Sequence, residues 1–287
     1  MSATMCRMAR RLPRCYSTKP ALTALEPLGV VAPSTRVLRM CRPPVNSLSL
    51  EVFDSMIASL SEAEADPECR AIVLASAQPN VFSAGLDITE MHAPDPSRLR
   101  EFWNTFQEAW MRLSSSSLAT IAAIEGHSPA GGCVLAISCD WRVMSAGDPV
   151  KGKPFTIGLN ETQLGIVAPP WIVETFQSVV GIRLADSMLQ RGALVSSERA
   201  AAIGLIDEVV AHADVVERAA VAAKELLSVP DAARHQSKLL TRQPIIDRLE
   251  SCREADNEAF SAFCLSAPVQ QSLTAYLAAL KKKSSAK

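Results

Sequence analysis

The sequence predicts an α/β fold built on a mainly parallel sheet, followed by a helical C-terminal region. Three observations predict it. Short, continuous aliphatic runs at 71–75 and 120–124 read as strands buried on both faces. Longer segments with apolar residues at helical spacing separate the strands, the alternation that a parallel sheet requires. From Val173 onward helical patterns dominate and strand signals become rare.

The elements follow in order. Residues 35–41 alternate enough to form a strand, which Pro43 and Pro44 end. Ser49 then precedes Leu50, Val52, Phe53, Met56, Ile57 and Leu60, an apolar stripe behind a good N-cap residue. After the strand at 71–75, residues 97–113 form a helix with Phe102, Phe106, Trp110 and Leu113 on one side. That stripe reads as core, or as one wall of a pocket. A strand at 120–124, a helix at 131–139 and a strand at 141–146 continue the pattern. Segments 173–191, 212–228, 231–242, 247–265 and 268–283 read as helices, with a short strand within 204–210. Pro268 suits the first turn of its helix, and 150–154 reads as an exposed loop.

Composition narrows the function. Hydrophobic residues make up 48% and charged residues 21% of the 287, the balance of a soluble globular protein. A formal net charge of −1 carries no electrostatic footprint for nucleic acid. No apolar run approaches the roughly 18 residues of a membrane span. Residues 1–20 stand apart: Arg7, Arg10, Arg11, Arg14 and Lys19 occur with no acid before Glu26. This is the composition of a mitochondrial presequence directing the chain to the matrix, or simply of a basic N-terminal tail. The expected division is a presequence over 1–20, a core domain over 21–205 and a helical region over 206–287. Cys41, Cys69, Cys133, Cys139, Cys252 and Cys264 form no Cys-x-x-Cys pair, and the histidines have no metal-binding spacing. Free thiols and no metal are expected.

Three segments carry candidate chemistry. In Phe82-Ser83-Ala84-Gly85-Leu86-Asp87-Ile88, a small-residue turn follows a strand and lets backbone approach a ligand. It also reads as an ordinary tight turn with Asp87 opening the next helix. In Ser128-Pro129-Ala130-Gly131-Gly132-Cys133 a helix begins near Gly131, and its unpaired N–H groups favour a negatively charged oxygen. The spacing lacks both the dinucleotide fingerprint and the P-loop lysine. Two such turns after neighbouring strands meet the need of an oxyanion hole for donors converging from separate elements. The third segment, 157–170, places Glu161 among apolar and neutral residues. It reads equally as a loop or capping carboxylate and as a proton-transfer group. His127 reads as a loop histidine, and Glu125 and Asp140 as turn residues.

Taken together, Pro43-Pro44-Val45-Asn46-Ser47-Leu48-Ser49, the turn at Ser83–Asp87, Gly131-Gly132-Cys133 and Gly158-Leu159-Asn160-Glu161-Thr162-Gln163-Leu164-Gly165 resemble the crotonase (enoyl-CoA hydratase/isomerase) family. The resemblance runs from about Thr35 through the C-terminal helices. It implies a crotonase-like ββα spiral core with a helical trimerisation region, hence a homotrimer. It implies that the N–H groups of Leu86 and Gly131 form the oxyanion hole, and that Glu161 is the acid/base. Ser83, Ala84, Gly85, Leu86, Asp87, Gly131 and Asn160 are then substrate-binding, with an acyl-CoA as substrate and no further cofactor. Hydratases of the family carry a glutamate directly after the Gly-Gly-Cys tripeptide; here that position is Val134. The resemblance therefore implies isomerisation of a 3-enoyl-CoA to the 2-trans-enoyl-CoA, as in fatty-acid β-oxidation. Hydration, thioester hydrolysis and non-catalytic acyl-CoA binding are the competing readings.

Overall fold

The structure is a computed structural model that describes residues 21–29 and 32–285. The expected presequence lies outside the described residues. The chain opens with β1 (Thr23–Pro27), β2 (Thr35–Met40), α1 (Leu50–Ala65), β3 (Ala71–Ser76) and β4 (Asn80–Val81). Then come α2 (Pro96–Ser115), β5 (Ala119–Ile124), β6 (Gly126–Pro129), α3 (Gly131–Ser138), β7 (Trp141–Ser145) and β8 (Thr156–Gly158). The remainder comprises α4 (Pro170–Val180), α5 (Ile182–Arg191), β9 (Val195–Ser196), α6 (Ser197–Ala202) and β10 (Glu208–Val210). It closes with α7 (Val215–Leu226), α8 (Asp231–Cys264) and α9 (Ala267–Ser285).

A six-stranded sheet has the order β1-β2-β3-β5-β7-β10, antiparallel between β1 and β2 and parallel thereafter. Every position of β3 and β5 is buried, as their unbroken aliphatic runs require. Alternate residues serve opposite faces. Ile72, Leu74, Ala122 and Ile124 join the main core with α1 and α2, whereas Val73, Ala75, Ile121 and Ala123 meet α7. Helix α7 covers that face with Val215, Ala219, Ala222 and Ala223, whose small side chains let the helix lie close to the sheet. Truncating a large buried aliphatic residue in such a core costs roughly 2–5 kcal/mol.

A second sheet, in the order β4-β6-β8-β9, lies at the end of the first, where the candidate turns leave their strands. Its strands are two to four residues long, too short to carry a periodicity. The expected helix at 173–191 is two helices, α4 and α5, parted at Gly181 with φ 82°. The segments at 231–242 and 247–265 are one helix, α8, running through Pro244. Ile246 and Leu249 bury themselves just beyond it, and this packing holds the helix together where a proline removes a backbone bond. Because β10 completes the sheet and α7 covers it, sheet-bound chain runs past the expected 205/206 division. The helices that stand off the sheet begin with α8.

These last helices close the site from above. Trp103 of α2 and Phe260 of α8 stack with centroids 3.5 Å apart. Asp256 accepts hydrogen bonds from Trp103 Nε1 and Gln107 Nε2, each 2.7 Å. Gln270 of α9 donates to the carbonyls of Met91 (2.9 Å) and Cys264 (2.7 Å) and accepts from Ala93 N–H (2.8 Å). Asp140 does more than serve a turn. It accepts from Thr120 N–H and pairs with Lys238 (2.8 Å) and Arg242 (3.0 Å), tying the sheet end to α8.

Candidate active site

The first turn leaves β4 and is held by its own polar groups. Ser83 Oγ donates to the Asn46 carbonyl (2.7 Å) and accepts from Gly85 N–H (3.1 Å). Gly85 has φ 91°, a conformation that side chains rarely adopt. Leu48 and Leu86 form a parallel bridge in which Leu48 N–H donates to Gly85 O and Asp87 N–H to Leu48 O, both 2.9 Å. That pattern uses the groups flanking Leu86 and leaves its own N–H with no hydrogen bond among the described residues. Asp87 accepts from Thr89 N–H and pairs with Arg42 at 2.5 Å. Burial pushes its carboxyl up, but the bonds from Thr89 and Arg42 outweigh burial and hold it below the usual carboxylate range.

The second turn abuts the first. Ala130 has φ 48°, an unusual conformation for a residue with a side chain, and its N–H donates to Gly158 O. Helix α3 then starts at Gly131, whose N–H lies at the first helical position and has no intrahelical acceptor. A Cβ on Gly131 would sit 3.2 Å from Leu86 N, and one on Gly85 would sit 3.2 Å from Gly131 N. The two donors therefore converge from separate elements. Gly132 is needed for another reason: a Cβ there would lie 2.7 Å from Ser83 O, so the glycine lets the two turns touch.

The third segment leaves β8 and forms a short 3-10 turn, Glu161–Leu164, closed by Gly165 at φ 71°. Glu161 Oε2 is shielded from solvent without a hydrogen-bond partner, and so is Asn160 Oδ1. Burial pushes the Glu161 carboxyl up to about 7, against the opposing pull of its own backbone N–H. Cys133 lies close enough to feel the Glu161 charge, and its thiol is pushed far up, first by burial and then by that charge.

Ala84, Leu86, Gly131, Asn160 and Glu161 line one cavity of ≈ 100 Å³. Ser83, Gly85 and Asp87 do not line it. Ser83 is fully buried, Asp87 is engaged with Arg42 and Thr89, and Gly85 packs against the turn at Pro129, Ala130 and Gly131. These three shape the loop that presents Leu86. Val134 lines the same cavity, so the residue after the Gly-Gly-Cys tripeptide faces Glu161's pocket with no proton to transfer. Of the aromatic stripe on α2, Phe106 reaches the cavity while Phe102 and Trp110 stay in the core. Sequence reasoning missed Trp103, Phe260 and Tyr276, which complete the wall from α2, α8 and α9. Their only signal was the amphipathic pattern of their helices. His127 is outside the cavity, bonded through Nδ1 to Thr156 and packed on Phe155.

The arrangement couples a carboxylate of near-neutral pKa to two converging backbone donors inside an apolar enclosure. Such a site can take a proton from carbon beside a carbonyl while the donors hold the oxygen that becomes negative. Among the described residues, no group of three or more His, Cys, Asp and Glu is placed to hold a metal. Nor is any helix long and apolar enough to cross a membrane. The six cysteines from Cys41 to Cys264 are free. Cys69, Cys133, Cys139 and Cys264 are buried, Cys41 is partly buried and Cys252 is exposed.

The family model described as enoyl-CoA hydratase/isomerase matches residues 33–285. The chain is 40% identical over 270 residues to a mitochondrial enoyl-CoA delta isomerase 1 from Rattus norvegicus, covering 94% of this chain and 90% of that protein. It is 40% identical over 247 residues to the Homo sapiens protein of the same name, covering 86% and 80%. The crystal structure of human mitochondrial delta3-delta2-enoyl-CoA isomerase superposes with a TM-score of 0.86 at 38% identity. That match covers 91% of this chain and 99% of the other.

Proposed function

The chain belongs to the enoyl-CoA hydratase/isomerase family, and from that premise we infer that it is a Δ3,Δ2-enoyl-CoA isomerase of fatty-acid β-oxidation. It moves the double bond of a 3-enoyl-CoA to give the 2-trans-enoyl-CoA. The observation that carries the mechanism is the lone, shielded Glu161 carboxylate in the cavity that Leu86 and Gly131 also line.

In the proposed mechanism ionised Glu161 takes a proton from C2 of the bound thioester. The C2–H electron pair forms a C1–C2 double bond and the carbonyl pair moves onto the thioester oxygen as negative charge, giving a dienolate in which the C3–C4 double bond is still present. The N–H groups of Leu86 and Gly131 receive that charge. Protonated Glu161 then delivers the same proton to C4 as the C2–C3 double bond forms, and the carboxylate is restored. One group is sufficient because no atom is gained or lost. A dehydrated carboxylate of raised pKa narrows the gap to the carbon acid, and each oxyanion donor supplies roughly 3 kcal/mol. Hydration needs a second proton carrier near the water, and Val134 provides none. We propose that no cofactor takes part beyond the acyl-CoA itself.

The test is incubation of the purified protein with trans-3-hexenoyl-CoA without any coupling enzyme. The expected product has the substrate's mass and the absorbance of a 2-enoyl thioester. A product heavier by one water, or free CoA, would replace isomerisation with hydration or hydrolysis.

The relatives' mitochondrial names and the basic, acid-poor N-terminus support a mitochondrial location, and we propose the matrix as the compartment. We also propose a homotrimer. In support, Ile182 on α5 and Leu240 on α8 are large aliphatic residues 72% and 79% exposed in the single chain. Sedimentation equilibrium is expected to show a single species at three times the chain mass; a monomer would reject the assembly.

A further inference from the structure

The catalytic glutamate sits on a turn that is too short to hold itself. The 3-10 turn Glu161–Leu164 has four residues, and apart from the shielded Glu161 carboxyl it buries little. Its N-cap, Asn160, makes no side-chain cap bond. Yet Oε2 of Glu161 is held away from water with no hydrogen bond of its own to fix it. Something outside the turn must place it.

Helix α5 meets that need. A helix ends with carbonyls that lack intrahelical partners. At this end the Leu189 carbonyl already accepts from Gly192 N–H (3.2 Å), and the catalytic turn adds a donor to it and one to the Gly192 carbonyl. Thr162 Oγ1 donates to Leu189 O (3.0 Å), and Gln163 Nε2 donates to Gly192 O (2.7 Å). Gly192 closes the helix with φ 56°, and a Cβ there would lie 2.7 Å from Thr162 Oγ1 and 3.3 Å from Asn160 Cα. The helix end and the turn are thus in direct contact. Just upstream, a Cβ on Gly158 would lie 2.3 Å from Ala193 O, so the chain entering the turn is pressed against the same segment.

We propose that Thr162 and Gln163 are positioning residues that pin the catalytic turn to the C-terminal end of α5, and so hold the Glu161 carboxylate on the C2-to-C4 line. This rests on Glu161 being the proton carrier proposed above. Both side chains are exposed, so neither contributes to the core. Their bonds run away from the cavity, and neither residue lines it.

The hold also keeps Glu161 dehydrated. Behind the turn lies a second, mostly apolar hollow of ≈ 190 Å³, lined by Glu161, Thr162, Leu189 and Gln190 among others. If the turn lifts off α5, water from this side reaches the carboxylate. The other titratable groups facing Glu161 are Tyr276 of α9 across the cavity and Cys133 of α3 beneath. Among the residues lining either hollow, α4 and α5 present no charged group. Exposure to water is therefore what would move its titration.

The test removes the two donors while keeping shape, in Thr162→Val with Gln163→Met. Because a displacement of about 1 Å can cost on the order of 100-fold, kcat is expected to fall by roughly 10- to 100-fold with KM nearly unchanged. The acid limb of kcat is expected to move down from about 7 toward the ordinary carboxylate value, and the melting midpoint to stay put. Thr162→Ser, which keeps the hydroxyl, is expected to retain most of the rate. Wild-type kcat in the double variant would overturn the proposal. So would a loss of rate with an unmoved acid limb, or an equal loss in Thr162→Ser. Gln163→Met alone provides a milder variant should the pair fold poorly. Glu161→Gln is run alongside: if it stays active, the assignment of Glu161 falls, and if it is dead while the double variant is normal, only the anchoring falls.

Discussion

Glu161→Gln is expected to lower isomerisation by about 10⁴-fold, the upper end of what a positioned general base supplies, with acyl-CoA binding changed only a few-fold. The amide keeps the size of the side chain and its place on the turn but cannot take a proton. The cavity offers no substitute base in Val134, Ile166 or Phe260, so the loss is expected in kcat rather than KM. A mass-resolved assay on a 3-enoyl-CoA, with CoA-analogue titration, separates the two quantities. Retained turnover would remove Glu161 from the chemistry. The wild-type pH profile should match. With the carboxyl pushed up to about 7, kcat should rise through that pH and level off above it. The same shift has a sign in stability. The fold favours the neutral acid, so its benefit is complete below the ordinary value of 4.5 and lost as pH rises through about 7. Glu161→Gln should therefore melt above wild type at pH 8 and level with it at pH 4.

Gly131→Ala is expected to cost on the order of 100-fold in kcat, the scale of one lost oxyanion donor, while leaving the fold intact. Alanine is the better helix former, and Gly131 opens α3 without a left-handed φ. Helix propensity therefore favours the substitution. The penalty comes from crowding, because the new Cβ lies 3.1 Å from Leu48 Cδ1 and 3.2 Å from Leu86 N. Those neighbours must move by a few tenths of an ångström, and one of them is the second donor. A melting midpoint at or near that of wild type with a collapsed kcat is the expected pair of results. An unchanged kcat would mean that the thioester oxygen is held elsewhere.

Much of this site was legible because its parts are local. Strands β3 and β5 were visible as unbroken aliphatic runs, and each candidate turn was marked by glycine where a strand gives way to a helix. Glu161 was conspicuous as one carboxylate in a neutral stretch. Its role was not legible from spacing alone, since a loop carboxylate in water looks the same in sequence. What distinguishes the two is that Oε2 is shielded from solvent, in a carboxylate that lines a cavity walled by side chains from α2, α8 and α9. Ser83 and Asp87 show the converse. Both lie in the right motif, but the structure spends their polar groups on Asn46, Thr89 and Arg42.

The sequence by itself determined the strand and helix periods of the main sheet, the three glycine-bearing turns and the absence of a second glutamate at Val134. These are properties of neighbouring residues, and local sterics and hydrophobic spacing suffice to specify them. Only the tertiary structure decided that the N–H groups of Leu86 and Gly131 converge, that Trp103, Phe260 and Tyr276 close the cavity, and that the end of α5 contacts the Glu161 turn. Each of these joins residues far apart in the chain through contacts with no period. The raised pKa of Glu161 has the same origin, because desolvation depends on everything packed around a carboxylate rather than on its neighbours in sequence.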